Sequence, residues 1–168
     1  MKDLEKTIVD TPIGHLTIIA SAEGITHILF DGREPADAGL DETIPAVVDN
    51  VMLNRAATQM SEYFEGTRRE FDLPLDPSGT EFQVQAWLAL ADIPYGDTTT
   101  YASQAEAIGR PNAVRAVGSA NSANPIPIVL PCHRVIGSDG SLTGYAGGID
   151  LKRRLLEMER SQQTLQFA

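Results

Sequence analysis

Ala123-Asn124-Pro125-Ile126-Pro127-Ile128-Val129-Leu130-Pro131-Cys132-His133-Arg134-Val135-Ile136 holds the chain's one cysteine, followed directly by one of its three histidines and an arginine. Apolar residues flank that triplet on both sides. Neighbouring groups can handle the proton of a thiol so placed and steady its thiolate, while the apolar flanks hold it rigid and partly out of water. On composition alone, a buried structural cysteine beside an incidental histidine is an equal reading, since free cysteine is among the most buried residue types. The polar pair inside an apolar run tips the balance toward an activated nucleophile. Pro125, Pro127 and Pro131 fix the backbone and withhold ladder hydrogen bonds, so the stretch predicts a stiff extended arm ending in a turn.

Upstream of this arm the pattern is helical. Thr80 is placed to cap a helix with Phe82, Ala86, Trp87 and Leu90 on one face, ended by Pro94-Tyr95-Gly96. A short helix from about Thr100 to Ile108 breaks at Gly109-Arg110-Pro111, and Asn112 is expected to cap the next, from Ala113 to about Ser122. Two short helices around a glycine-containing turn match a helix-turn-helix, or equally a plain αα-hairpin. On the later helix Val114, Val117 and Asn121 share one side, while Arg115, Gly118, Ser119 and Ser122 share another. A face that small, with one arginine, suits close approach to a narrow groove. Further on, Lys152, Arg153 and Arg154 read as a solvated helix face.

The first half has a different texture. Lys6 to Asp10, Gly14 to Ala20 and Gly24 to Phe30 are β-rich runs separated by turn signals, as in an antiparallel meander. Residues 31–44 read as a polar surface loop. From Pro45 onward Val48, Met52, Ala56, Met60 and Phe64 recur every four residues, predicting a helix that stops at Gly66. Phe71 to Leu75 fits one more edge strand. Turn residues at Asp76-Pro77-Ser78-Gly79 mark the best boundary, giving an N-terminal α/β domain over 1–76 and a C-terminal helical domain over 77–168. The fold class is α+β.

A length of 168 residues suits one ordinary domain or two small ones. No apolar run approaches the ~20 residues of a membrane span and the N-terminus has no signal-like pattern, so a cytoplasmic protein is expected. One cysteine forbids an internal disulfide and a Cys-rich zinc site, and leaves the thiol free in a reducing compartment. The net charge of -10 argues at face value against a nucleic-acid partner. Its distribution qualifies that, because residues 1–75 hold 14 acidic and 6 basic side chains and residues 76–168 hold 9 and 7. Any phosphate-contacting surface is expected in the second half.

Pro131-Cys132-His133-Arg134-Val135, with Tyr101, Arg115-Ala116-Val117-Gly118, Asn124-Pro125, Gly144-Tyr145, Gly147-Gly148 and Glu159, resembles the O6-alkylguanine-DNA alkyltransferase family. The pentapeptide is that family's signature, and the likeness covers nearly all of residues 80–160. It implies a ribonuclease H-like first domain and a winged-helix-like second one. It implies that Cys132 accepts the alkyl group, that His133 and Glu159 relay its proton, in the family through a water, and that Asn124 braces the turn. Tyr101 would donate to the purine ring and press on the neighbouring phosphate, while Arg115 would enter the base stack in place of the extruded nucleotide. The carbonyls of Cys132 and Val135 and the N–H of Ala146 would read the guanine edge, with Tyr145, Gly118, Ser119 and Ser122 also at the base or DNA. Ser122 stands where many members carry an arginine or another DNA-contacting residue. The implied partner is double-stranded DNA containing O6-alkylguanine, extending in principle to O4-alkylthymine, bound by a monomer without cofactor, metal or membrane.

Displacement at an alkyl carbon wants a thiolate, and a donor such as Tyr101 would help expel the guanine anion. A target inside a duplex must leave the stack, which costs a few kcal/mol and calls for something to fill the gap. The thioether product has no easy hydrolysis route, so one turnover is expected. Three other readings stand beside this one: a cysteine hydrolase, a non-catalytic helix-turn-helix regulator, and a damage sensor that binds lesions without repairing them. The retained Cys132 speaks against the last two. For single residues, a core role for Tyr101, a solvated charge at Glu159 and a surface ion pair for Arg115 remain open.

Overall fold

The structure, a computed structural model, describes the backbone of residues 3–167 and the side chains of residues 3–162. The chain forms two compact units, Met1–Ser78 and Gly79–Ala168.

In the first unit β1 (Glu5–Thr11), β2 (Gly14–Ala20) and β3 (Ile25–Leu29) form an antiparallel meander in that order. The β1–β2 turn needs glycine at position 14, where φ is 106° and a Cβ would sit 2.5 Å from an Asp31 carboxylate oxygen. Helix α1 (Val51–Glu65) packs on β1 and β2 and buries Leu53, Ala56, Gln59, Met60 and Tyr63. It starts later than the periodicity from Pro45 suggests. Lys6 N donates to Pro45 O and Val47 N to Lys6 O, both at 3.0 Å, so residues 45–47 run along the edge of β1. Val48 is consequently 90% exposed, and Asn50 caps the helix by accepting from Leu53 N at 3.0 Å. Gly66 ends it in the left-handed region.

Two further expectations for this unit change. Residues 31–44 are more than a polar loop, since Ile44 joins Ile19 and Leu29 in the core with Leu4 and Leu40 packed against them. Phe71 to Leu75 forms no strand. Only Leu75 bridges to Ile25, where Ile25 N donates to Pro74 O at 2.9 Å and Asp76 N to Ile25 O at 2.8 Å. Pro74 lacks the N–H that a longer ladder would need.

In the second unit α2 (Glu81–Ala89) begins with a reciprocal cap between Thr80 and Gln83 and runs into a 3-10 turn at Leu90–Asp92. Two-residue strands β4 (Thr99–Thr100) and β5 (Val135–Ile136) pair in parallel. Between them α3 (Tyr101–Ala107) and α4 (Val114–Ser122) pack together around Gly109, at φ 73°, in a helix-turn-helix arrangement. Asn112 is not the cap of α4. Ala113 N donates to Arg110 O at 2.9 Å, which closes the turn one residue later and leaves Ala113 as the first flanking residue with no side-chain cap. Buried Gln104 and Asn121 exchange amide hydrogen bonds of 2.9 and 2.7 Å between α3 and α4, and Trp87 Nε1 donates to Ala120 O at 2.7 Å. Val114, which shares a side with buried Val117 and Asn121, is itself 37% exposed.

The proline-rich arm is turned rather than extended. Leu130 N donates back to Ile126 O at 3.0 Å and Ile128 sits at φ 74°, a conformation that costs a β-branched residue energy and is held here by complete burial of Ile126 and Leu130. Cys132–Arg134 then form a single 3-10 turn leading into β5. Helix α5 (Ile149–Phe167) follows a loop. Among the described residues no helix is long and apolar enough to cross a membrane.

Candidate active site

Three elements of the second unit meet at Cys132: its own 3-10 turn, the segment after α4, and α5. Asn124 fixes the turn by three bonds. Its Nδ2 lies 2.7 Å from Leu130 O and 3.2 Å from Cys132 Sγ, and its Oδ1 accepts from Ile126 N at 3.0 Å. Both ends of the amide hold the turn, and its nitrogen also aims a donor at sulfur. Burial pushes the Cys132 thiol up to about 11, against the downward pull of Asn124, the Lys152 charge and the local backbone. At neutral pH the resting group is a thiol.

His133 is wholly buried and its Nε2 lies 2.7 Å from Glu159 Oε2. Glu159 is 0% exposed, which excludes a solvated charge. Burial alone would raise its carboxyl, but His133 and Arg134 outweigh burial and hold it down at about 2. Arg134 forks onto the same carboxylate, Nε 2.8 Å from Oε1 and Nη2 3.1 Å from Oε2. Burial lowers the His133 pKa, Glu159 raises it, and the charges of Arg134 and Lys152 lower it again, with a net effect downward. The ring is thus a neutral imidazole. With Nε2–H given to Glu159, Nδ1 carries the lone pair, and it has no hydrogen-bond partner among the described residues.

Tyr101 starts α3 with its ring half-exposed and its hydroxyl donating to Thr143 O at 3.1 Å. Lys152 Nζ donates to the same carbonyl at 2.9 Å and lies 5.8 Å from the Tyr101 ring centroid. Tyr145 has its phenol pushed well up by burial, with Cys132 and Glu159 adding to the effect, whereas Ala146 is exposed. Val135 is buried in β5. Of the α4 residues, Arg115, Ser119 and Ser122 are exposed, and Ser122 Oγ donates to Gly118 O at 3.2 Å. A Cβ on Gly118 would come within 3.9 Å of the Tyr101 ring, so this small position lets α4 and Tyr101 approach closely. Arg115 has no hydrogen-bond or ion-pair partner among the described residues, which removes the surface ion pair. Cys132, Asn124, His133 and Glu159 come together, while the α4 face meets Tyr101 at Gly118.

The sequence profile of the 6-O-methylguanine DNA methyltransferase DNA-binding domain matches residues 81–161, and that of the same protein's ribonuclease-like domain matches residues 4–77. A methylated-DNA–protein-cysteine methyltransferase of Methanosarcina barkeri is 46% identical over 157 residues, 92% of this chain and 96% of that one. The chain belongs to the 6-O-methylguanine DNA methyltransferase family. Other members agree with it. The constitutive Bacillus subtilis enzyme of the same name is 44% identical across 92% of this chain and 94% of its own. The crystal structure of Mycobacterium tuberculosis O6-methylguanine methyltransferase superposes with a TM-score of 0.82 at 44% identity, covering 95% of this chain and 94% of that one. The same protein has been solved in complex with DNA.

In this family member two site residues escape a reading of residue types. Arg134 is 5% exposed and committed to Glu159, and Lys152, expected in a solvated face with Arg153 and Arg154, is 0% exposed. The available signal was spacing: Lys152, Leu155, Leu156 and Glu159 recur at i, i+3, i+4 and i+7, and all four are buried on one face of α5. Among the described residues no group of three or more His, Cys, Asp or Glu side chains is placed to hold a metal ion.

Proposed function

We propose that this protein repairs double-stranded DNA by moving the alkyl group of O6-alkylguanine onto Cys132 Sγ, once per molecule. The observation that carries this is the single buried thiol, held by Asn124 beside a neutral histidine that is itself anchored on an ionised Glu159. Sγ attacks the alkyl carbon, the carbon–O6 bond breaks, and its electron pair stays with the guanine. The thiol proton passes to His133 Nδ1, through a water as the family resemblance implies, and Glu159 stabilises the imidazolium. Tyr101 exchanges its Thr143 partner for the purine and supplies the proton that makes the guanine a better leaving group. Arg115, exposed on α4, fills the stack vacated by the flipped nucleotide. The carbonyls of Cys132 and Val135 and the N–H of Ala146 read the guanine edge, with Tyr145 alongside, and Gly118, Ser119 and Ser122 give α4 a face small enough to lie against DNA.

A domain of residues 1–76 and a DNA-handling domain of residues 77–168 complete the assignment, with the protein acting as a monomer. A free thiol used as the reactant points to the reducing cytoplasm as the working compartment. Intact-protein mass spectrometry after incubation with an O6-methylguanine duplex tests the reading. One added methyl group on Cys132 is expected. An adduct on another residue, or more than one turnover per protein, overturns it.

A further inference from the structure

Glu159 places a buried negative charge where two groups compete to balance it. His133 Nε2 meets one oxygen at 2.7 Å, and Arg134 meets both, at 2.8 and 3.1 Å. The rest of the guanidinium is also committed, with Nη1 donating to Ile93 O at 2.7 Å and the guanidinium carbon lying 5.6 Å from the Tyr95 ring centroid. A buried carboxylate facing histidine alone draws a proton onto the ring, because an uncompensated anion away from water is costly. A histidine protonated in that way has no lone pair left for the thiol's proton. A guanidinium is charged at every working pH, so it can balance the carboxylate without occupying the imidazole.

The remaining charged and titratable groups around His133 act in the same direction or are neutral. Lys152 from α5 adds a second positive charge facing the site, Cys132 on the same turn is a thiol at rest, and Tyr145, from the loop before α5, is a neutral phenol. We propose that Arg134 is a positioning residue of the transfer reaction, acting through Glu159: its fork balances the carboxylate and leaves His133 neutral, with Nδ1 open to the thiol's proton. The downward effect of Arg134 and Lys152 on the histidine agrees with this. The proposal rests on the reading of Cys132 as the alkyl acceptor.

Single-turnover transfer from a methylated duplex, followed from about pH 5.5 to 9 for the native protein, Arg134→Met and Arg134→Lys, reads the proton state of the base. Without the guanidinium, His133 holds its proton more tightly, so the acid limb of the Arg134→Met profile should move up by about one pH unit. The deficit is then about tenfold at acid pH and fades in alkali. Lysine restores the charge without the fork and should return the limb toward native. A loss by the same factor at every pH, not rescued by lysine, reduces Arg134 to a structural strut and overturns the proposal. The imidazole ¹⁵N shifts of His133 in the native protein give a test that needs no variant. A neutral ring with Nε2 protonated is expected at neutral pH, and an imidazolium there overturns the proposal. Failure of the native protein to transfer at all, with the ring nonetheless neutral, would instead count against the reading of Cys132.

Discussion

Glu159 ties the chemistry of the site to the stability of the fold, because one carboxylate serves both His133 and Arg134. Its folded pKa of about 2 lies below the ordinary 4.5. A depressed carboxyl stabilises the fold at pH values above its unfolded pKa, and loses that contribution as pH falls through its folded one. Glu159→Gln leaves the Arg134 charge buried without its partner, which costs about 3–5 kcal/mol for a broken buried pair. Urea unfolding of native and Glu159→Gln protein should therefore differ most at neutral pH, and the difference should close as pH falls from about 4.5 toward 2. A pH-independent difference would show that glutamine costs packing rather than charge. The residue scale also shows what a sequence can tell. Cys132 and His133 were legible because they sit together in one proline-framed stretch, whereas Asn124 came only through the family resemblance. Lys152 was not, because a lysine next to two arginines has the composition of a solvated face, and burial is decided by which way the helix turns.

Thr80 and Asn112 look alike in the sequence, each a polar residue just ahead of a helical pattern, yet only Thr80 caps. Thr80 Oγ1 accepts from Gln83 N at 3.1 Å while Gln83 Oε1 accepts from Thr80 N at 3.0 Å. Thr80→Ala should accordingly lower stability by about 1 kcal/mol and Asn112→Ala by less than about 0.5 kcal/mol. Urea midpoints at constant slope check both, and equal losses would place a cap at Asn112 after all. The error had a local cause, the Arg110–Ala113 turn, which shifts the first helical residue by one. The start of α1 departs from the periodicity for a longer-range reason. Val48 obeys the helical period, but β1 claims residues 45–47 first, and a propensity pattern carries no information about a strand forty residues away. The strands themselves were legible because short β-rich runs are separated by turn residues such as Gly14.

At the scale of the molecule, a DNA-repair protein with a net charge of -10 has to bind a polyanion. The structure makes the shortage sharper than the count of seven basic residues after position 75 suggests. Arg134 and Lys152 are buried at the thiol, and Arg153 pairs with Asp150 at 3.1 Å. The other exposed arginines of the second unit are Arg110, Arg115, Arg154 and Arg160, and α4 carries Arg115 alone. Affinity for undamaged duplex depends on phosphates neutralised, with log K falling against log salt at about -0.9 per contact. We expect ~2–4 such contacts, hence a shallow slope and weak non-specific binding at physiological salt. On this reading backbone N–H groups and serine hydroxyls on the α4 face are expected to supply the rest of the anchoring, as neutral contacts that release no counterions. Ser122 is the position at which to test this. It is exposed, and its hydroxyl donates back to Gly118 O within the same helix, so arginine there gives up no hydrogen bond to another element among the described residues. Salt titrations with a fluorescent duplex should show Ser122→Arg binding more tightly, with a slope steeper by about one unit. An unmoved slope would mean that α4 does not face the phosphates. A native slope already steep would mean that exposed arginines outside α4 carry the binding, and that the acidic balance of the chain is no measure of its grip on DNA.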